Sequence, residues 1–204
     1  MRGFLDPVAS FYSALVTEFG ASPKGVDWPS TDRQEIRFEQ FERLFGGRQA
    51  FSLLDYGCGY GAYLGYLNRK CLPCDYTGFD ISESMIAKAA ELFERSGAVF
   101  SSKVPSGQFD FVVASGIFNV KLDAPNDSWE EHVFRTLDDL DIHARRGFAF
   151  NVLSSRREAH RKMQHLYYAN PSEILERCLK NYSPNVALLH DYDLWDFTVI
   201  VRKN

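Results

Sequence analysis

The chain has 204 residues, of which 45 % are hydrophobic and 25 % charged, with a net charge of −4. That length suits one α/β domain, able to bury about 70 % of its unfolded surface without a disulfide or metal staple, and the acidic balance argues against a broad nucleic-acid surface. No apolar run approaches the ~18 residues of a membrane span and no signal-peptide core opens the chain, so a cytoplasmic protein with no membrane partner is expected.

Asp6-Pro7 reads as a helix cap with proline at the first helical position, followed by Val8, Phe11, Tyr12, Leu15 and Phe19 at helical spacing up to Gly20. Pro23, Gly25 and Pro29 mark a loop. Thr31 to Gln34 fits a capping box, with Gln34 reaching back to the cap amide, and the helix it opens carries Phe38, Phe41 and Phe45 on one face before Gly46-Gly47. Residues 1–47 thus form a helical segment ahead of a strand-and-helix alternation over 48–204.

In that second part, strands are expected over 51–56, 75–79, 98–101, 109–114 and 148–153, separated by helices over 62–70, 82–95 and 126–141. Met85, Ile86, Ala89, Leu92 and Phe93 form the inner face of the second of these helices, and Trp129, Val133, Leu137 and Leu140 that of the third. Asn170-Pro171 caps a last helix. Strands over 186–189 and 197–201, joined by a short turn, must run antiparallel. Crossover helices imply a doubly wound, mostly parallel sheet. Cys71-Leu72-Pro73-Cys74 has no second cysteine pair, so no metal site is expected.

Gly57, Gly59 and Gly61 follow the first strand of the sheet. Without Cβ atoms the backbone turns sharply there and can approach a ligand, with a helix N-terminus aimed at it. Asp80 ends the next strand 23 positions after Gly57, near the spacing at which a carboxylate receives ribose hydroxyls. Gly57-x-Gly59-x-x-Ala62 also satisfies a loose dinucleotide fingerprint. Asp55, at the strand tip, would oppose a pyrophosphate and favour a ligand carrying an ammonium group, and the antiparallel closing hairpin is unusual for a dinucleotide domain.

Asp55-Tyr56-Gly57-Cys58-Gly59-Tyr60-Gly61 resembles the first motif of the class I S-adenosylmethionine-dependent methyltransferases. Phe79-Asp80-Ile81-Ser82 resembles their ribose-binding motif, and Phe109 to Gly116 their fourth-strand motif. The resemblance covers residues 51–201. It implies a seven-stranded sheet of order 3-2-1-4-5-7-6 with an antiparallel strand at the end, preceded by an N-terminal helical lid. It implies S-adenosylmethionine as cofactor and S-adenosylhomocysteine as product. Asp55, Gly57, Gly59 and Gly61 would surround the methionine portion, Asp80 the ribose, Ile81 an adenine face, and the Ser115 carbonyl the ammonium. Gly25 to Phe38 resembles a lid in small-molecule methyltransferases, in which Trp28 and Arg37 would face the cofactor. Arg37 would pair with its carboxylate, or else with Glu35 or Glu39 in solvent.

For the acceptor side, Asn/Asp-Pro-Pro-Tyr/Phe is absent after the fourth strand, where Ser115 to Val120 stands instead. This lowers adenine or glutamine-amide methylation. A small-molecule acceptor is the leading expectation, with Phe118 and Asn119 at its site. His132, His165 and His190 are candidate bases. His165, with Tyr167 and Tyr168 beside it, lies after the fifth strand and hence at the ligand edge, so His165 and Tyr168 are the catalytic candidates. The basic stretch 154–168, with Arg156, Arg157 and Arg161, reads either as a solvated face or as a lid that draws an anionic acceptor, with Arg156, Arg161 and Tyr167 touching it. An RNA or protein acceptor, or a protein that binds the cofactor without turnover, stays open at this level.

Overall fold

The computed structural model describes residues 2–48 and 50–203. Seven strands form one sheet: β1 (Ser52–Tyr56), β2 (Asp75–Phe79), β3 (Val99–Ser101), β4 (Phe109–Ala114), β5 (Ala144–Leu153), β6 (Asn185–Leu189) and β7 (Asp196–Arg202). Their order is β3-β2-β1-β4-β5-β7-β6. β7 runs antiparallel to both neighbours, and the other pairs are parallel. This is the architecture that the motif resemblance implies. The chain winds outward from β1 toward β3, then crosses back to β4, so the sheet opens a crevice at the carboxyl ends of β1 and β4.

Strand alternation divides the core. Leu54, Val112 and Ala114 face α5 (Asn126–His143), α6 (Pro171–Asn181) and Val8 of α1 (Arg2–Phe19). Leu53, Phe111 and Val113 face α2 (Thr31–Phe45) and α3 (Ala62–Arg69). All six of these strand side chains are at most 3 % exposed, each worth roughly 1.5–3 kcal/mol of burial where the side chain is large. α4 (Glu83–Leu92) buries Met85 and Ala89, whereas Leu92, expected inside, is 48 % exposed. No helix among the described residues is long and apolar enough to cross a membrane.

Two helix starts differ from the expectation. α1 begins at Arg2, so Pro7 lies inside it. Tertiary packing supports the added turn: the Phe4 ring stands 5.8 Å from Trp129 and 5.7 Å from His132. Proline costs only the bond to the Gly3 carbonyl there. α2 is capped by Ser30, whose hydroxyl accepts from the Arg33 amide, not by Thr31. Gln34 is thereby free of the capping role and is buried instead.

The N-terminal segment is fastened to the sheet by a buried ion pair. Arg37 of α2 donates from Nη2 to Asp196 Oδ1 at 2.7 Å and from Nε to Oδ2, while Nη1 donates to the Arg33 carbonyl. Arg37 is 5 % exposed and Asp196, which opens β7, fully buried. The pairing with Glu35 or Glu39 is not made; Glu35 pairs with Arg69. Removing one partner of such a pair strands a charge in the interior. Asp196→Ala is therefore expected to cost about 3–5 kcal/mol in denaturant unfolding, whereas the double change Arg37→Met with Asp196→Leu should cost much less, because no charge is left behind.

Candidate functional site

The crevice is built first by the backbone after β1. Gly57, Gly59 and Gly61 hold φ of 85°, 54° and 85°, the left-handed region that glycine enters without steric cost. The amides of Gly57 and Cys58 both donate to the Phe79 carbonyl, at 2.7 and 2.9 Å, which pins the turn to the end of β2. A Cβ on Gly57 would lie 2.1 Å from Ile117 Cγ2, and one on Gly59 3.3 Å from Val26. These two glycines line a cavity that is partly open to solvent. Gly61 does not line it: its missing Cβ makes room for the Phe93 ring, 2.8 Å away, so it serves the packing of α3.

Two carboxylates face this cavity. Asp80 accepts from the Gly59 amide at 2.9 Å and the Ser82 amide at 2.8 Å, one on each oxygen. Each oxygen keeps a lone pair for a further donor. Burial raises its carboxyl above the ordinary range, and the two amides oppose that rise. Asp55, 2 % exposed, accepts from the Tyr76 hydroxyl. Desolvation pushes its pKa up to about 7; the Tyr76 bond pulls it down and the field of Asp80 adds to the rise.

Tyr76 was not apparent as a site residue, although the parallel register carries the signal. Asp55 is level with Gly78, so Tyr76, two residues earlier on β2, projects from the same face. Tyr63 belongs to that face too. It lines the cavity, is 2 % exposed, and its Oη has no hydrogen-bond partner. Gln34, released from the cap, also lines the cavity.

The far wall comes from the end of β4. Asn151 of β5 accepts from the Gly116 amide at 2.8 Å and donates to Ser115 Oγ at 3.0 Å. Ser115 is on the cavity wall. Gly116 has φ of 77°, and a Cβ there would come within 2.7 Å of the Trp28 ring. That ring carries the Arg37 guanidinium 3.9 Å from its centroid. A second cavity, also solvent-open, lies beyond; Tyr12, Val26, Trp28 and Gly116 belong to both walls. Asp27, Arg33, Arg157 and Trp195 line only the second. Tyr12 is a further residue that sequence reasoning passed over as helix core. Burial, with Asp27 and Asp80 nearby, raises its phenol well above the ordinary value.

The structure thus brings Asp55, Gly57, Gly59, Asp80, Ser115 and Trp28 together at the first cavity. Ile81 stands beside Asp80 in sequence and is 38 % exposed, off the wall. Other expected residues have different partners. Arg37 is committed to Asp196. Phe118 is fully buried against Phe150, and its carbonyl accepts from Trp129 Nε1. Asn119 borders the second cavity, but its Oδ1 is taken by the Leu153 amide. Tyr167 donates to Glu130, and Tyr168 Oη accepts from the Met163 amide; both line a separate surface hollow. His165 is exposed, and its carbonyl receives the Lys121 and Leu122 amides. His132 is lodged between Phe4 and Trp129, where desolvation lowers its pKa to about 4. His190 is exposed against the edge of Phe197. Arg156 is exposed, and Arg161 pairs with Glu158.

Comparison with known proteins agrees with this geometry. Residues 54–135 match the family model described as a methyltransferase domain. The Mycobacterium tuberculosis protein named "Putative methyltransferase Rv1506c" is 44 % identical over 164 residues, which are 79 % of this chain and 98 % of that protein. Among solved structures, the plantazolicin methyltransferase BpumL, in complex with a desmethyl plantazolicin analogue and SAH, superposes with a TM-score of 0.61 at 14 % identity, over 100 % of both chains. The magnesium protoporphyrin IX methyltransferase of Synechocystis PCC 6803 with bound SAM gives 0.60 at 14 % identity, covering 85 % of this chain and 79 % of that one.

The perturbed acid has a consequence for stability. Asp55 titrates near 3.9 when unfolded and at about 7 when folded. The folded state therefore holds the extra proton between those values, and its contribution falls as pH rises from about 4 to 7. In ligand-free protein, Asp55→Asn should match the wild type near pH 4 and exceed its unfolding free energy by a few kcal/mol, on the order set by the linkage relation, at pH 8. Urea titrations across that range measure the difference.

Proposed function

The chain belongs to the class I S-adenosylmethionine-dependent methyltransferases, and from that membership we propose that the first cavity holds S-adenosylmethionine while the second presents a small molecule for O- or N-methylation. The observation that carries this reading is the wall that both cavities share, Tyr12, Trp28 and Gly116. A donor and an acceptor placed on its two sides would meet at the end of β4.

The residues on the first cavity fit the cofactor. Gly57 and Gly59 leave space that a Cβ would fill, and the orphaned Tyr63 hydroxyl awaits an acceptor. Asp80 would take ribose hydroxyls on its free lone pairs, and Asp55 the ammonium. With Arg37 already neutralised by Asp196, the carboxylate of the methionine end would fall to neutral donors, Tyr63 Oη and the Gln34 amide. Ile81 offers an apolar face beside Asp80. When bound, the cofactor supplies a methyl group on a positively charged sulfonium, already activated toward displacement. The protein's share is then chiefly alignment and exclusion of water.

Among the described residues no histidine lines either cavity. Asp27, on the second cavity and with its carboxyl raised by burial, is the group suited to accept a proton from a neutral acceptor. The free thiols Cys58, Cys71, Cys74 and Cys178 support a reducing, cytoplasmic setting.

Calorimetry with S-adenosylhomocysteine tests the donor site. Asp80→Ala should lose about 1.5–3 kcal/mol and Tyr63→Phe about 0.5–1.5 kcal/mol of binding free energy; unchanged affinity in both would remove the assignment. Because the ammonium needs an ionised Asp55, affinity should rise with pH up to about 7 and then level, and Asp55→Asn should abolish that rise. Product formation should appear with small phenols, carboxylic acids or amines. Transfer confined to RNA or protein would refute the small-molecule reading.

A further inference from the structure

On the reading that the first cavity is the methyl-donor site, we propose that the second cavity takes a flat, ring-bearing carboxylate gripped by Arg157. Arg157 lines this cavity, and its Nε is buried without a hydrogen-bond partner. Its side chain makes no ion pair among the described residues, unlike the guanidiniums of Arg37, Arg161 and Arg177. A buried guanidinium N–H with nothing to bond is costly, and an incoming acceptor atom would satisfy it. Carboxylate is the planar two-oxygen partner that a guanidinium edge matches with parallel hydrogen bonds.

The charges around it point the same way. Arg37 and Asp196 cancel one another within the same wall. Arg33 is exposed at the rim and has no ion-pair partner among the described residues. Asp27 is the remaining carboxylate on the wall and forms an ion pair with neither arginine. The cavity is therefore left with an excess of positive charge inside an acidic protein.

The rest of the wall is mostly apolar and includes three aromatic rings, Tyr12, Trp28 and Trp195. Trp28 and Tyr12 also line the first cavity, whereas Trp195, 37 % exposed, lines only the second, in the turn before β7. Arg157 and Trp195 are held in fixed relation through Ser154, which is fully buried: its amide donates to the Trp195 carbonyl at 2.8 Å, and its carbonyl accepts from the Arg157 amide at 3.2 Å. The grip and the flat face are thus parts of one backbone arrangement. A ring lying on Trp195 would cover its exposed surface while its carboxylate meets Arg157.

The test is calorimetric titration of the protein, free and loaded with S-adenosylhomocysteine, with benzoate, benzamide and phenyl phosphate. Benzoate should bind with a Kd in the millimolar range or tighter, and benzamide about tenfold more weakly or worse. Arg157→Gln should erase that preference and leave S-adenosylhomocysteine affinity unchanged, Arg156→Gln should change neither, and Trp195→Ala should weaken both aryl ligands. If Arg157→Gln fails to fold, Arg157→Lys, which keeps the charge but loses the fork, should still lower benzoate affinity severalfold. No benzoate binding, equal affinity for benzoate and benzamide, an unaffected preference in the Arg157 variants, or a clear preference for phenyl phosphate would each overturn the proposal. Failure of S-adenosylhomocysteine to bind would instead count against the donor site, and benzoate titration of the free protein reads the second cavity separately.

Discussion

A cation buried in this fold must find a carboxylate, and the arrangement around both cavities follows from how Arg37 does so. Its guanidinium spends Nε and Nη2 on Asp196 and Nη1 on the Arg33 carbonyl, which locks α2 to the start of β7. The face of the same guanidinium supports Trp28. Trp28 in turn lies so close to Gly116 that no Cβ fits between them. One ion pair thereby sets the position of the aromatic wall between the two cavities. Isolated from water, such a pair adds little net stability, but it defines one geometry where a lid held by apolar contacts alone could slide.

The other side of the first cavity is held in a costly electrostatic state. Burial raises the carboxyls of both Asp55 and Asp80, and the field of Asp80 adds to the rise at Asp55. Backbone amides of the glycine turn and of Ser82 compensate Asp80, while Asp55 has the Tyr76 hydroxyl. Perturbed acids gathered in a cleft mark functional sites more often than chance. On the proposed reading, the cofactor's ammonium and ribose hydroxyls would relieve such a site. The same logic, with the sign reversed, describes the second cavity, where an unpaired guanidinium calls for an anion.

Much of the fold is legible along the chain. Helical spacing in α2 and α5, continuous apolar runs in β4 and β5 and the turn before β7 each reflect a local period that burial must satisfy. The glycine turn is legible for a related reason: positive φ and close approach can be met by few residue types. Gly57, Gly59 and Asp80 stand on the cavity as their spacing suggests. Gly61 shares their conformation and not their surroundings, since the Phe93 ring that fills its missing Cβ comes from another element. Chain proximity to a motif proved a poor guide to contact. Phe118 follows Ser115 by three residues and points into the core, and Tyr167 sits beyond β5 but turns toward Glu130 on α5.

Local order therefore determines which segments are strands and helices, where the chain turns sharply, and which acid follows the turn at the right distance, because those properties depend on neighbours within a few residues. Pairings across long loops belong to the tertiary structure. Arg37 and Asp196 are 159 positions apart, Gly116 and Asn151 35, and Tyr76 and Asp55 21. Which arginine is neutralised, which tyrosine is left without a partner and which side of a loop faces a cavity are settled by competition among all groups that reach the same space. Burial makes an unpaired polar group expensive, and only the assembled fold decides which groups are buried together.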